Sequence, residues 1–394
     1  LYEKAKPLLE RSLKIIEELK DKDDITISRK LGNLAQLYED QGLYKKAAYN
    51  LERALRIEFN YIKKIAPYLP LSERKSFLEM IGRNYESSFP FAFYEKSVSE
   101  LALFTRLNRQ GLLEEIEKRQ SVLFSLSGEN LKLVNEIKEL NLKLASTSIK
   151  KTQRKILKSK KADLEKELYL LLPELRKDIV EISQVAGSIP KNSVLIEFQR
   201  YQKYDSKKPI LEGWTEAYYL ALLLKPNGNY VAIDLGLANP IDDLIREALI
   251  SSEQGLEDAS DLWKDISLLI IKPLESEIKN VEKLFISPDG ELNRIPFAAL
   301  SYKNKLLIDE KKIRLLTTGR ELLALSKNST PTKKKTLVIA DPSFDLVKSK
   351  NDSNTSKKLQ QRSADLKSFI WNSLPGTSRE GKVISKITKG KLLT

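Results

Sequence analysis

Apolar positions along the chain fall into blocks with different rhythms. Residues 72–126 read as three amphipathic helices, with Pro67, Pro70, Pro90 and Gly111 as punctuation between or near them. Leu133, Ile137, Leu140 and Leu144 then fall at spacings of four, three and four, and Leu164, Leu168, Leu171 and Leu175 repeat that rhythm. Such narrow apolar seams predict an antiparallel helical hairpin of coiled-coil type, turning near Ala145-Ser146-Thr147-Ser148. Near Gly187 the pattern changes to short continuous apolar runs. Residues 193–198, 217–224 and 230–235 predict strands, and Pro226-Asn227-Gly228 predicts a tight hairpin turn in which Asn-Gly takes positive φ. Helices are expected at about 240–252 and 259–280.

The front of the chain repeats itself. Tyr2-Glu3-Lys4-Ala5 matches Tyr44-Lys45-Lys46-Ala47, Leu9-Glu10-Arg11 recurs as Leu51-Glu52-Arg53, and Leu13 and Ile15 recur as Leu55 and Ile57, all at an offset of 42 residues. Leu31, Ala35, Tyr38, Gly42, Tyr44, Ala47, Leu51 and Ala54 resemble one tetratricopeptide unit. Small residues at Ala35, Ala47 and Ala54 let two helices approach closely, and Gly42 sits where the first must turn into the second. About one and a half units are visible, and an array of this kind needs about three to stand alone. More repeats are therefore expected before Leu1. Stacked helix pairs present a concave surface for a peptide or a partner helix, so binding of a protein partner is the expected role.

Further along, residues 284–287 read as a short buried strand, and Pro288-Asp289-Gly290 as a turn. Residues 312–317 read as a strand and 320–325 as a helix. The run 336–340 has the continuous apolar character of a buried parallel strand, ended by Asp341-Pro342. Thr377 and Glu380 have capping-box spacing at the start of a helix that reaches about Lys386, and residues 391–394 open a further strand. The last segment is thus expected to be a βαβ unit, the beginning of a parallel sheet.

Composition narrows the chemistry. The 394 residues include no histidine and no cysteine, which removes disulfides, thiol nucleophiles, Ser-His-Asp and Cys-His arrangements and most zinc or haem sites. Absence of cysteine fits a reducing cytoplasm. No stretch approaches the roughly 18 apolar residues of a membrane span, and no signal peptide opens the chain. Because the chain begins with Leu1 and its only methionine is Met80, it is expected to be an internal piece of a longer protein.

The net charge of +14 raises nucleic acid as a partner. The sharpest candidate is the hairpin tip at 143–161, where Lys143, Lys150, Lys151, Arg154, Lys155, Lys158, Lys160 and Lys161 occur without an acidic residue. A solvated helix face explains the same run, and no RNA-binding aromatic signature accompanies it.

Few residues qualify as catalytic or metal-binding. Ser72 with Lys75 and Ser148 with Lys151 have Ser-x-x-Lys spacing, but Ser72 also suits a helix N-cap and Ser148 lies in the basic hairpin. Asp258, Asp261 and Asp265 recur at three and four, as a magnesium cluster or a solvated face would. Asp341 ends a parallel strand, where such sheets place ligands, and it equally caps an Asp-Pro turn. No catalytic, cofactor-binding or metal residue is assigned from these patterns, and no cofactor is implied.

Several blocks together resemble the CHAT domain, a caspase-like peptidase domain found beside tetratricopeptide repeats. They are Ser287-Pro288-Asp289-Gly290 with Pro296-Phe297-Ala298-Ala299-Leu300, Thr317-Thr318-Gly319-Arg320-Glu321-Leu322, Leu337-Val338-Ile339-Ala340-Asp341-Pro342-Ser343-Phe344 and Leu374-Pro375-Gly376-Thr377-Ser378-Arg379-Glu380, preceded by a helix around 111–120. The resemblance implies a bacterial, cytoplasmic repeat–CHAT protein. Its fold class would be multidomain α plus α/β: tetratricopeptide repeats at 1–66, a helical region with a coiled-coil hairpin at 67–187, and the front part of a caspase-like domain at 188–394. It also implies a cysteine endopeptidase in which a His in a His-Gly pair takes the proton of a Cys thiol. Neither residue exists here, so no catalytic residue carries over and this polypeptide is expected to be inactive. The rival expectations are a non-catalytic interaction scaffold and RNA binding through 143–161.

Overall fold

The computed structural model describes residues 2–66, 69, 71–114, 116–117, 131–145, 151–170, 179–209, 212–325, 336–341 and 375–393. The chain forms two compact units, residues 1–327 and 328–394.

The first unit opens with helices α1 (Tyr2–Leu19), α2 (Ile25–Asp40) and α3 (Tyr44–Ile65). Helix α3 begins at Tyr44, and its repeat-equivalent Tyr2 lies in α1. Asp24 starts α2 by accepting the Thr26 amide at 2.8 Å. Gly42 takes φ +70° in the α2–α3 turn, a conformation that costs a side-chain-bearing residue more than glycine. Leu31, Ala35, Ala47, Leu51 and Ala54 are buried where α2 and α3 meet. Equivalent positions need not be equally buried: Ile57 is 8% exposed but Ile15 is 45% exposed. The core around α3 also takes in Phe91 and Phe104 from later segments.

Of the three amphipathic helices expected over 72–126, the part from 118 on lies outside the described residues, and the described part follows a more broken path. Helices α4 (Leu71–Met80), α5 (Arg83–Ser87) and α6 (Glu100–Arg109) follow, with a 3-10 turn at Phe89–Phe93, carrying Pro90 in its first turn, between α5 and α6. Helix α6 has no solvent face over Leu101–Asn108, because every residue there is buried. Its polar side chains tolerate this because they are bonded. Asn108 exchanges two hydrogen bonds with the backbone of Val180, at 2.9 and 2.8 Å.

The helical hairpin is present as α7 (Leu131–Ala145) and α8 (Lys151–Leu170). Arg154 donates to the Leu144 carbonyl at one end, while Val134, Ile137 and Leu168 pack further along, as antiparallel helices require. The expected seam positions Ile137, Leu140 and Leu168 are buried and Leu133 and Leu164 pack against them, with Val134 joining Leu133 as an added buried position. The expected turn at 146–148 and the seam positions Leu171 and Leu175 lie outside the described residues.

After α9 (Ile182–Ser188) come strands β1 (Ser193–Tyr204), β2 (Trp214–Leu224) and β3 (Tyr230–Leu237). Helices α10 (Ala238–Gln254) and α11 (Ala259–Ile270) follow, then β4 (Lys283–Ser287), the short pair β5 (Ser301–Tyr302) and β6 (Lys305–Leu306), and β7 (Lys312–Leu315). The helix expected over 259–280 breaks after Ile270 into a 3-10 turn containing Pro273. The main sheet has the order β3-β2-β1-β4-β7, with β1–β2 and β2–β3 antiparallel and β1–β4 and β4–β7 parallel. In the β2–β3 turn only Gly228 has positive φ, and Lys225 bonds Asn229 across a three-residue loop. The paired positive-φ turn lies instead at Lys303-Asn304, between β5 and β6.

Strand alternation assigns the two sheet faces. Val194, Ile196 and Phe198 of β1, with Leu284 and Ile286 of β4, pack with Ile241, Ile245, Ile266 and Ile270 of α10 and α11. Leu195, Leu220, Leu222 and Phe285 pack on the opposite side with Leu103 and Leu107 of α6 and Val185 and Ala186 of α9. The sheet is therefore covered on both faces, which explains its unbroken apolar runs. One of its two helical layers comes from the front part of the chain.

The second unit holds β8 (Leu337–Ile339), helix α12 (Pro375–Thr388) and β9 (Lys391–Leu393), with β8 and β9 parallel. This is the expected βαβ arrangement. Strand β8 is not buried on both sides, however: Leu337 and Ile339 are exposed while Val338 is half-buried. Among the described residues α12 covers one face, where a Cβ on Gly381 would meet Ala340 at 2.4 Å. Thr377 does not precede the helix as a cap. It lies within the first turn, and its hydroxyl accepts the Asp341 amide at 3.0 Å.

Candidate functional site

The carboxyl ends of parallel strands are where open α/β sheets place ligands. Here β1 and β4 pair in parallel with Glu197 beside Ser287. Glu197 follows Leu195 at a two-residue step and so faces the α6 layer. Arg106 fills that position from α6, with its side chain wholly buried. Its Nε donates to Glu197 Oε2 at 3.0 Å and its Nη1 to Gln199 Oε1 at 3.1 Å. Its Nη2 donates to Ser287 Oγ at 3.1 Å and to the Pro288 carbonyl at 3.0 Å. Asp289 Oδ1 lies 3.6 Å from Nη1.

The surrounding groups complete the arrangement. Glu197 Oε1 accepts the Gly319 amide and the Thr318 hydroxyl. Ser287 Oγ donates to the Thr317 carbonyl at 2.8 Å, and Tyr85 donates to Gln199 Oε1 at 3.0 Å. Asp289 Oδ2 accepts the Arg200 amide at 2.9 Å, and Arg200 reaches Asp242, which also accepts from Tyr219. Burial works against the Arg106 charge, but Asp289 and Glu197 outweigh it and hold its pKa above the ordinary value. Burial raises the Tyr85 phenol well above its usual range.

This geometry accounts for the Ser-Pro-Asp-Gly block. Each of its first three residues gives a polar atom to the Arg106 network. Gly290 takes φ +55°, and a Cβ there would meet the Tyr219 hydroxyl oxygen at 2.5 Å. The Thr317-Thr318-Gly319 block closes on Glu197 from the β7 side. The network contains a buried ion pair with its hydrogen bonds satisfied, an arrangement suited to joining elements rather than to attacking a substrate.

The other candidates are scattered. Helix α4 spans Leu71–Met80, which places Ser72 in its first turn. Ser148 is outside the described residues. Asp258 precedes α11 without a side-chain capping bond, and Asp261 accepts from Lys264 at 2.8 Å on an exposed face. Among the described residues no group of three or more acidic side chains is arranged to hold a metal ion. Asp341 ends β8 with φ +47°. On the basic hairpin Lys155, Lys158 and Lys160 are exposed and Lys161 pairs with Glu165 at 3.4 Å. Among the described residues no helix is long and apolar enough to cross a membrane.

The sequence patterns singled out neither Arg106 nor Glu197. A signal existed: each is a lone charge inside an apolar run, Leu-Phe-Thr-Arg-Leu and Leu-Ile-Glu-Phe. A charge there must be paired or functional.

Comparison with known families agrees with both ends of the chain. Residues 1–57 match the model of a tetratricopeptide repeat, and residues 261–394 match that of the CHAT domain. No curated protein matches the chain.

Proposed function

Starting from a chain that joins tetratricopeptide repeats to a CHAT domain, we propose that the helical front binds a protein partner and passes that event to the sheet through Arg106. The CHAT segment belongs to a caspase-like peptidase lineage. In this polypeptide it works without hydrolysis, because a thiol–imidazole mechanism needs a cysteine and a histidine and the chain has neither. Partner binding then acts as a shift between two arrangements of one packed body.

The observation that carries the proposal is the reach of Arg106. One side chain on a front helix bonds Glu197 and Gln199 of β1 and the end of β4. Arg56 of α3 adds a second tie, with a two-pronged ion pair to Glu181 at 2.8 and 3.1 Å and a stack over Phe104.

A second reading, a scaffold with no peptidase role in any form, is favoured by the same absence of thiol and imidazole. The two separate in one assay. This chain and the longest polypeptide encoded by its gene are incubated with an unfolded protein substrate, and new peptide termini are counted by mass spectrometry. The peptidase reading expects cleavage by the longer polypeptide alone. Cleavage by neither leaves the scaffold, and cleavage by this chain contradicts both.

A further inference from the structure

Glu58 sits on α3 with 4% of its surface exposed. Its Oε1 accepts from Ser28 at 2.8 Å and from Asn84 at 2.6 Å. Among the described residues no donor reaches its second oxygen and no cation lies within ion-pair distance. Asn84 gets there because Gly32 has no side chain: a Cβ on Gly32 would lie 2.1 Å from Asn84 Oδ1. Helices α2, α3 and α5 thus converge on one carboxylate.

That carboxylate lines a cavity of about 270 Å³. Small-molecule sites begin near ~300 Å³, so the space suits one short chain rather than a large ligand. Ile25, Tyr61 and Ile81 line it with apolar surface, and Arg29 and Arg83 contribute cationic groups, the Arg83 guanidinium bonding Asn33 at 3.3 Å and lying over the Tyr204 ring. The cavity therefore has a buried acceptor, apolar walls and guanidinium groups.

We propose that this cavity binds a small, short-chain amino carboxylate, its ammonium on Glu58 and its carboxylate toward the cationic lining residues Arg29 and Arg83. The match is of sign and order. Glu58 feels the charge of Arg109 but makes no ion pair with it, so it still gains from a cation that brings its own hydrogen-bond donors. The two arginines would repel a simple amine, and a carboxylate at its far end turns that repulsion into attraction. This site is independent of the peptidase lineage.

A proton accompanies binding. Burial raises the Glu58 pKa to about 7, against the lowering effect of the bonds from Ser28 and Asn84 and of the more distant Arg109. The other charged or titratable groups around the carboxylate are Arg29 on α2, Tyr61 on α3 and Arg83 on α5. An ammonium favours the ionised carboxylate, so binding at pH 6 releases a proton and affinity rises toward pH 8.

The test is calorimetric titration of the full chain with lysine, 6-aminohexanoate, hexylamine and hexanoate at pH 6 and pH 8, in buffers of different ionisation heat. Lysine and 6-aminohexanoate are expected to bind at pH 8 with Kd of roughly 1 mM or below. Hexylamine should bind about tenfold more weakly and hexanoate not at all. Glu58→Gln, which keeps an acceptor for Ser28 and Asn84, should abolish binding and proton release. Arg29→Gln with Arg83→Gln should reduce lysine to the level of hexylamine. Equal binding by Glu58→Gln, hexylamine as tight as lysine, or no binding of either zwitterion at about 10 mM would overturn the proposal.

Discussion

Arg106 and Glu197 lie 91 residues apart in the chain, and both side chains are fully buried where they meet at 3.0 Å. Removing one partner strands the other's charge in the interior. Arg106→Met and Glu197→Met are each expected to destabilise the first unit by about 3–5 kcal/mol. The double variant should lose less than the sum, because neither member of the fully buried pair is left without the other, while the partly exposed Asp289 loses its ion partner in both Arg106 variants. Urea unfolding of the four proteins checks this, and additive losses would mean that the pair is not coupled.

Gly290 offers a test of the turn at the end of β4. Alanine there must accept φ +55° and place its Cβ against the Tyr219 hydroxyl, which bonds Asp242 and the Glu291 amide. Gly290→Ala should cost roughly 1–3 kcal/mol. The measurement is again urea unfolding, with Gly187→Ala as the comparison, since no heavy atom lies near that position.

Buried carboxylates set a pH dependence. Burial raises Glu58 to about 7, Glu86 to about 7 and Glu39 to about 6. A raised folded-state pKa favours the folded state when the group is protonated. That contribution is complete below the ordinary value of 4.5 and is lost as pH rises through 6 to 7. Stability should therefore fall between about pH 4.5 and pH 7. Glu58→Gln should flatten its share of that slope, on the order of 1–3 kcal/mol. A stability curve unchanged in shape by this variant would contradict the assignment.

Gly32 controls how Asn84 meets Glu58. Gly32→Ala pushes a methyl into Asn84 Oδ1 and should displace it from the carboxylate. Losing a donor to the ionised form raises the Glu58 pKa further. Carbon-13 NMR of labelled glutamate would follow this, and an unchanged or lower value would contradict it.

How much of this was legible in the sequence depends on whether the deciding partner was near. The repeat was readable because Leu51, Ala54 and Leu55 answer to helix neighbours a few turns away. Strands β1 and β2 were readable because both faces demand apolar residues. Alternation could also place Glu197 and Leu195 on one face, but not show that Arg106 waits there. Helix α6 misled for the same reason: Thr105, Arg106 and Asn108 look like a solvent face until their bonds to Leu101, Glu197 and Val180 are seen. Thr377 had capping spacing, yet Pro375 can start a helix itself, and the hydroxyl instead serves Asp341.

The helical front and the sheet behave as one body held together by Arg106. Native-state hydrogen exchange tests it most directly. In the unaltered chain, α6 amides and those of β1, β4 and Gly319 should open with one free energy and respond alike to urea. In Arg106→Met the two groups should separate, with α6 opening first and the α7–α8 hairpin unaffected. If α6 already opens independently of β1 and β4 in the unaltered chain, Arg106 couples nothing and the claim fails.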